Sequence, residues 1–474
     1  MKVLLTGSTG YIGRRLKQRL SQIKDIDVRI FVRNKKSHSD LTLNSFEIFE
    51  GDTFQKDTLE AALEGVDTAF YLIHSLNSKN YKDLDKISAQ NFIDACQKRG
   101  VKRVIYLGGL GVKNSDTSEH LLSRIETGEV LSSSNSVQTI WVRAGVIIGS
   151  GSTSFEIIRN LTEKLPVMTT PKWVYTKTQP IAVDDVLNYL EQSIYLKEKE
   201  NLTIDIGSEQ LTYKDMMLQT AEALDLKRVI IPLPFLSITL SSYWLNLFTP
   251  VPFTVAKALI EGLKSEVVIQ NDNASELFPN IKPISYKQAV KKAIEEIQSN
   301  QVISRWSDTG GQIWEKNHSQ EIADAIFLDR KERTIKNKSK ESIYKSFMSI
   351  GGVDGWFRYD FLWELRGVLD KLIGGVGLKR GRRSQYNLRI GESLDFWKVV
   401  DIKENERLLL FAQMKLPGLA WLEFKIEGDK LIQSAYFYPK GVFGRLYWYS
   451  LIPIHYLVFN NMIDSIIKKA ANDD

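Results

Sequence analysis

Short apolar runs alternate with amphipathic stretches over the first third of the chain. Lys2–Thr6, Asp27–Val32, Thr68–Ile73, Val104–Gly108 and Gln138–Arg143 are rich in β-branched residues and apolar at nearly every position. That is the pattern of strands buried on both faces. Between them lie segments with helical spacing: Gly13–Ile23 with Leu16 and Leu20 on one face, Thr58–Leu63, Tyr81–Arg99 with Ile87, Phe92 and Ala95 inward, and Ser123–Ser132. Strand–helix alternation of this kind predicts an α/β domain, a doubly wound parallel sheet covered on both sides by helices.

The alternation continues through Ile181–Leu190 and Thr203–Ile206, weakens after Leu226, and resumes in a helix over Tyr286–Gln298. Ser299–Gln312 is polar and aperiodic. The first domain is therefore read as 1–298, with a linker over 299–328 and a second domain over 329–474. The second domain has a different texture, and seven of the ten tryptophans lie after residue 300. Arg333–Ile335 reads as a strand, Lys340–Ile350 and Phe361–Leu372 as helices. Strands follow at Leu394–Ile402, Arg407–Met414, Ala420–Glu427 and Ile432–Tyr438, set apart by turn-forming residues such as Glu427-Gly428-Asp429. A closing helix over Gly444–Ala470 makes this an α+β domain.

Two apolar stretches raise the question of a membrane. Residues 229–256 carry no charge, but Pro232, Pro234, Pro250 and Pro252 bracket them, and Ser237, Thr239, Ser241, Ser242 and Asn246 interrupt them. A span needs about 20 mostly apolar residues, so a buried or interfacial helix is expected there. Leu446–Phe459 is shorter, holds Pro453 and His455, and reads as the inner face of the last helix. The composition is ordinary for a globular chain: 474 residues, 43% hydrophobic, 25% charged, net charge +6. Disorder and fibrous repeats are excluded. One cysteine, Cys96, cannot form an internal disulfide, and the N-terminus runs straight into a strand, so a cytoplasmic protein is expected. Nucleic acid is not expected as a partner, for want of a binding module or a long basic stripe.

The chemistry begins at Gly7-Ser8-Thr9-Gly10-Tyr11-Ile12-Gly13, directly after the first strand and opening the first helix. Glycines there let the backbone turn tightly and approach a pyrophosphate, whose charge sits among the unpaired N–H groups of the helix N-terminus. This predicts a dinucleotide site in a Rossmann-like domain. The second strand ends at Val32-Arg33-Asn34-Lys35-Lys36, with Arg33 where an NAD-selective site places an acid. A guanidinium can grip a 2′-phosphate bidentately, so NADP is expected, with NAD the weaker alternative.

These residues, with Gly51-Asp52 and Arg143-Ala144-Gly145-Val146-Ile147-Ile148-Gly149, resemble the extended and atypical short-chain dehydrogenase/reductases. The NmrA-like proteins and relatives of the 39 kDa accessory subunit of respiratory complex I are the most similar branch, over residues 1 to about 298. The resemblance implies that Asp52 contacts the adenine edge and that Leu72-Ile73-His74-Ser75 lines the nicotinamide-side ribose, with Gly108 at the end of the fifth strand. It also implies that Gln179–Val186 closes the substrate side.

The family's reductases use a serine after the fifth strand and a Tyr-x-x-x-Lys on the following helix. Here Gly108-Gly109-Leu110-Gly111 offers no hydroxyl, and His120 and Arg124 stand at the Tyr/Lys spacing with Ser123 between them. Two readings compete. In one, His120 is a general acid with a pKa near the working pH, and Arg124 supplies fixed positive charge at the ribose or at a developing oxyanion. In the other, the site binds the cofactor without hydride transfer and Arg124 is a clamp. His74 is a second candidate acid. The five histidines, at 38, 74, 120, 318 and 455, are scattered, there is no Cys-x-x-Cys, and no metal site is expected.

The order of elements in the second domain resembles the START/polyketide-cyclase-like helix-grip fold. The resemblance is carried by Gly351-Gly352-Val353-Asp354-Gly355-Trp356, Leu362–Gly367, Asp370–Leu378, Asp395–Val399 and Trp421–Phe424. A sheet wrapped on one helix implies a cavity, and Trp397, Trp421, Phe424, Tyr436 and Tyr438 would shape it for a hydrophobic ligand, unless they simply fill the core. Lys379-Arg380-Gly381-Arg382-Arg383 reads as a solvated basic loop or an anion contact, which with the 229–256 stretch raises peripheral membrane contact. The expected function is an NADPH-dependent oxidoreductase on a hydrophobic carbonyl or quinone-like molecule. The alternative is a redox sensor or assembly factor that binds NADP(H) without turnover, and a third reading makes the second domain a lipid carrier. The sequence fixes no oligomeric state.

Overall fold

The computed structural model describes residues 1–35, 46–74, 81–113, 117–233, 249, 261–262, 265–299, 301–308, 322, 325–335, 338–352, 355–378, 381–384 and 387–470. Lys36, His38, Ser75, His318, Val353, Asp354, Lys379, Arg380 and most of the apolar 229–256 stretch lie outside them. The chain divides into two compact units, Met1–Trp306 and Ser307–Asp474.

The first unit is built on seven strands: β1 (Lys2–Thr6), β2 (Asp27–Val32), β3 (Glu47–Glu50), β4 (Thr68–Tyr71), β5 (Arg103–Gly109), β6 (Gln138–Ala144) and β7 (Leu202–Ile206). They lie in the order β7-β6-β5-β4-β1-β2-β3, every pair parallel. Alternate residues feed opposite layers. Val3, Leu5, Ile105 and Leu107 pack beneath α1 (Tyr11–Leu20), whereas Leu4, Val104 and Tyr106 pack beneath α2 (Lys56–Leu63), α3 (Tyr81–Lys98) and α4 (Glu119–Leu131). Strands apolar on both faces have nowhere to go but the middle of such a sandwich. A third apolar layer joins α5 (Thr153–Lys164), α7 (Tyr213–Ala223) and α8 (Tyr286–Gln298), while α6 (Val183–Gln192) completes the layer under α1. The chain crosses from one side of the sheet to the other between β1 and β4, the switch point where open α/β sheets bind ligands.

One inward residue is corrected. Ile87 of α3 is 48% exposed, whereas Phe92 and Ala95 are buried as expected. The buried face of α3 is set by Asp85, Ser88, Ala89, Phe92 and Cys96, at spacings of three and four.

The second unit is a six-stranded antiparallel sheet: β8 (Phe327–Thr334), β9 (Ser393–Leu394), β10 (Trp397–Lys403), β11 (Arg407–Ala412), β12 (Gly418–Glu427) and β13 (Lys430–Pro439), in the order β8-β13-β12-β11-β10-β9. Helices α9 (Lys340–Met348) and α11 (Gly441–Ala470) cover one face, with α10 (Asp360–Leu372) between α9 and the meander in sequence. The five aromatics expected around one cavity fall in different places. Trp397 and Phe424 are buried in the layer under α9 and α11, and Trp421 and Tyr436 belong to a separate cluster with Val400 and Leu409. Tyr438 is exposed. Trp421 and Phe424 are three apart on one strand, so the pleat sends them to opposite faces.

Helix α11 serves two surroundings. From Val458 onward its inward side chains, among them Phe459, Met462, Ile463 and Ile466, belong to the core. Before that point most side chains are exposed: Phe443 is 82% accessible, and Leu446, Tyr449, Ile452 and Tyr456 all face outward. The expectation that Leu446–Phe459 forms an inner face therefore holds only for Trp448, Val458 and Phe459. The basic loop is likewise corrected. Arg382 and Arg383 are buried; Arg382 donates to the carbonyls of Met348, Ile350 and Ser384, and Arg383 pairs with buried Glu392. Among the described residues no helix is long and apolar enough to cross a membrane.

Candidate cofactor and active site

The turn after β1 is shaped by two glycines. Gly7 has φ +67°, and a Cβ on it would stand 2.3 Å from the carbonyl oxygen of Leu72. A Cβ on Gly13 would stand 2.1 Å from the carbonyl oxygen of Gly7. Gly10 caps α1 in an extended conformation, with its N–H on Gly7 O at 2.9 Å and no side-chain cap. The first-turn amides of α1 are left for an anion. Ser8 is buried beside this turn, and Thr9 contributes its carbonyl to Arg14 Nε at 3.0 Å. The cradle has the form a pyrophosphate needs, so a dinucleotide fits the residues present.

The other predicted contacts divide. Arg33 is exposed at the end of β2, and Asp52 holds the next turn by accepting the Phe54 N–H at 3.0 Å. Leu72 closes against the turn through its N–H on Thr6 Oγ1 at 3.3 Å, and Ile73 packs into the α2–α4 layer. Ile12 packs into the opposite layer under α1. Tyr11 turns away from the cradle: its ring lies under the Arg15 guanidinium, 5.2 Å to the centroid, and its hydroxyl is buried beside Gly149, where a Cβ would come within 2.7 Å. Only its backbone serves the turn. Gly108 is also explained differently, since its missing Cβ leaves room for Trp141 Nε1, which would lie 2.2 Å away.

Beside the cradle, three side chains from three elements meet. His74 follows β4, Asp85 lies on α3, and His120 stands in the first turn of α4, whose N-cap Ser118 accepts the Leu121 N–H at 3.3 Å. Nδ1 of His74 is 2.7 Å from Asp85 Oδ2, and Nε2 of His74 is 3.1 Å from His120 Nδ1. Ser123 Oγ donates to the same Asp85 oxygen at 3.2 Å. Asp85 is 3% exposed. A carboxylate only accepts, so Nδ1 of neutral His74 carries the proton and its Nε2 accepts from Nδ1–H of His120. The outcome is a line from Asp85 through His74 to His120, ending on His120 Nε2.

Burial, with His74 and Arg124 adding positive charge nearby, pushes the His120 pKa down to about 2. His74 is also lowered, mainly by burial, with Asp85 opposing. The expected His120 pKa near the working pH is therefore overturned: the ring is neutral at rest, because burial disfavours its charged form and a second imidazole lies 3.1 Å away. Arg124 donates to Leu107 O at 2.8 Å and lies along Gly109, while its own carbonyl accepts from Tyr106 Oη at 2.9 Å. Its Nε is buried without a hydrogen-bond partner among the described residues. Neither nearby tyrosine replaces the family's proton donor. Tyr106 is spent on Arg124 O with its pKa raised to about 12, and Tyr71 is hydrogen-bonded to Ser88 at 2.8 Å.

Asp85 is the residue that sequence reasoning missed. Its signal was its place on the buried face of α3, four residues before Ala89 and seven before Phe92. A stability consequence follows from His120. The unfolded chain takes up a proton below the ordinary value of 6.5 and the folded one does not, so stability declines as pH falls below about 6.5. Urea unfolding between pH 7.5 and 5 is expected to show this loss, and His120→Gln is expected to flatten it. An unchanged slope in the variant would put the dependence elsewhere.

Residues 7–140 match an NAD(P)H-binding family model, and residues 322–462 match the protein family of unknown function DUF2867. Sanguinarine reductase of Eschscholzia californica is 26% identical over 255 residues, covering 44% of this chain and 89% of that one. The auxiliary protein GraX of Staphylococcus aureus is 32% identical over 130 residues, covering 25% of this chain and 40% of its own length. Among solved structures, triphenylmethane reductase of Citrobacter sp. superposes with TM-score 0.52 at 21% identity, over 62% of this chain and all of that one. A nucleoside-diphosphate-sugar epimerase of Staphylococcus aureus superposes at 0.50 and 15%, over 61% of this chain and all of its own. At these identities the structural likeness is one of fold. The first unit therefore carries a match to an NAD(P)H-binding family model on a Rossmann-like fold, joined in one chain to a domain that matches DUF2867.

Proposed function

We propose that the protein is an NADPH-dependent reductase of a hydrophobic carbonyl or quinone-like small molecule, with His120 as its proton donor. The observation that carries this is the Asp85–His74–His120 line, set beside the glycine cradle at the switch point of the sheet. Two of the similar proteins are named as reductases, which supports the class of reaction.

In this reading the first-turn amides of α1 take the pyrophosphate, Asp52 the adenine edge, and Arg33 the 2′-phosphate. Leu72 and Ile73 line the ribose beyond. Bound NADPH supplies a hydride to the substrate carbon. The protein's task is the proton for the oxygen. In the loaded state the extra proton sits on His74, where Asp85 balances its charge, and His120 stays neutral with its Nε2–H outward. As negative charge grows on the substrate oxygen, His120 Nε2 gives up its proton and His120 Nδ1 takes the one from His74 Nε2. Both rings end neutral, and solvent reloads the line. Because His120 cannot hold charge for itself, it passes the proton on in a single movement. Arg124 braces the end of β5 and its positive charge favours the developing oxyanion.

For the second unit, the order of a strand, helices, an antiparallel meander and one long closing helix supports a helix-grip reading, with most of its large aromatics engaged in packing.

Calorimetric titration with NADPH and NADH tests the cofactor site. NADPH is expected to bind more tightly, and Arg33→Ala is expected to erase about tenfold or more of that preference while leaving NADH binding unchanged. Loss of NADPH absorbance across a panel of quinones and ketones then tests turnover. If neither nucleotide binds at millimolar concentration, the reading fails; binding with no turnover anywhere in the panel would favour a sensor.

A further inference from the structure

Helix α10 turns only Leu362 and Trp363 of its large apolar side chains toward the core. Its buried positions are Gly367, Asp370 and Lys371, whereas Phe361, Leu365, Val368 and Leu372 face solvent at spacings of three and four, with Leu372 67% exposed. Burial of Asp370 is no accident of packing: its carboxylate accepts the N–H of Gly377 at 2.9 Å and of Lys415 at 2.7 Å. The helix is thus anchored by Asp370 and by Leu362 and Trp363, which pack against the core, and among the described residues the stripe of Phe361, Leu365, Val368 and Leu372 is left outward. The first half of α11 adds a second such face around Phe443 and Leu446.

These two faces are linked through residues 415–417. Lys415 Nζ donates to Ile373 O at 2.7 Å at the end of α10, and Pro417 O accepts the Lys440 N–H at 2.8 Å at the start of α11. A Cβ on Gly444 would touch that same Pro417 oxygen at 2.3 Å. Residues 415–417 therefore join Leu372 to Phe443 along one edge of the unit. Exposed apolar side chains gathered at one edge in this way mark an interaction site.

The charges around it choose the occupant. Lys415, Lys440 and Arg445 are exposed at this edge, and Arg366 reaches Lys415 O at 3.3 Å, while the exposed acids of the two helix segments, Asp360 and Glu364, are confined to the first turns of α10. The sequence from Lys430 to Ile463 contains no acidic residue. A second copy of the chain docking face to face would oppose like charges across a two-fold axis. An anionic bilayer surface accepts the apolar side chains below its headgroups and pairs with the cations at headgroup level. Tyr447, Tyr449 and Tyr456 add rings suited to that boundary. We infer that the second unit docks on anionic membranes through the outward faces of α10 and the first half of α11.

The full chain is to be co-sedimented with vesicles of phosphatidylcholine alone and mixed with phosphatidylglycerol. Binding is expected to the mixed vesicles, weakly to phosphatidylcholine alone, and to fall as salt rises from about 0.1 to about 0.5 M. Leu372→Ser and Phe443→Ser, one from each helix, are each expected to weaken it by about tenfold, and both variants should bind NADPH as the parent does. Both side chains are exposed, so folding is not at stake. No binding to mixed vesicles, equal binding to both kinds, or variants that bind like the parent would each overturn the inference. So would a lipid-free dimer that Phe443→Ser converts to monomer.

Discussion

Replacing Asp85 with asparagine is expected to lower NADPH-dependent turnover by a factor of about a hundred to ten thousand, the range associated with losing positioned proton transfer. The carboxylate is buried, 2.7 Å from His74 Nδ1, and it is the group that makes a proton on His74 tolerable. Asparagine can keep a hydrogen bond to Nδ1 but carries no charge to balance the loaded state, and its NH2 can force the wrong tautomer on His74. Binding of NADPH should change by no more than about twofold, because Asp85 does not reach the glycine cradle. His120→Gln should cost turnover to a similar degree. Groups that act as one unit are far from additive, so the double variant should be no slower than the worse single one. If the two losses multiply, or if Asp85→Asn keeps a third or more of the turnover, the line is not a proton path. Steady-state rates on the best acceptor found, with calorimetry for NADPH, decide this.

The second large effect is expected at Gly7. Alanine there must adopt φ +67°, which costs about 1–2 kcal/mol in an L-residue, and its methyl group must enter a space 2.3 Å from Leu72 O. That oxygen belongs to backbone held between β4 and the rest of the sheet, and cannot swing aside as a flexible side chain would. Overpacking adds about 1–3 kcal/mol. Relief requires opening the turn, and an open turn no longer presents the α1 amides to a pyrophosphate. Gly7→Ala is therefore expected to lower stability by about 2–5 kcal/mol and to weaken both NADPH and NADH by about a hundredfold or more. Arg33→Ala, in contrast, discriminates between them. Urea unfolding and titration of the same preparation separate the two consequences; a variant that binds both nucleotides like the parent would show that the cradle is not the pyrophosphate site.

The parts of this architecture governed by local pattern were legible in the chain. β1 and β5 are apolar at every other position on each side, and the Gly7–Gly13 spacing places its turn between a strand and a helix. The relay was legible only in fragments. His74 and His120 are 46 residues apart and meet because β4 and β5 are neighbours in register, which no local pattern reports. Asp85 sits among Lys82, Asp83 and Lys86, so it reads as part of a solvated face unless α3 is rotated correctly; taking Ile87 as inward turned that face away. In the second unit, hydrophobicity alone misled. An outward stripe and a core stripe have the same spacing, so Leu446–Phe459 reads as an inner face although most of it is exposed. Arg382 and Arg383 misled in the opposite sense, since charge suggested solvent where buried carbonyls and Glu392 were waiting.

Helix α11 runs unbroken from Gly441 to Ala470, yet its two halves answer to different media. The second half interlocks with a close-packed interior in which a single added or missing methylene is felt. On the docking mode inferred above, the first half rests against a fluid that reshapes itself around whatever is presented, so it asks for greasiness and not for shape. Descendants of this gene can therefore trade leucine, phenylalanine, valine and tyrosine freely at the exposed positions before Val458, Gly444 and Trp448 being held by packing, while the residues after it drift only in compensated steps. One rod carries two clocks of sequence change, and the seam between them is the edge of the fold's own core.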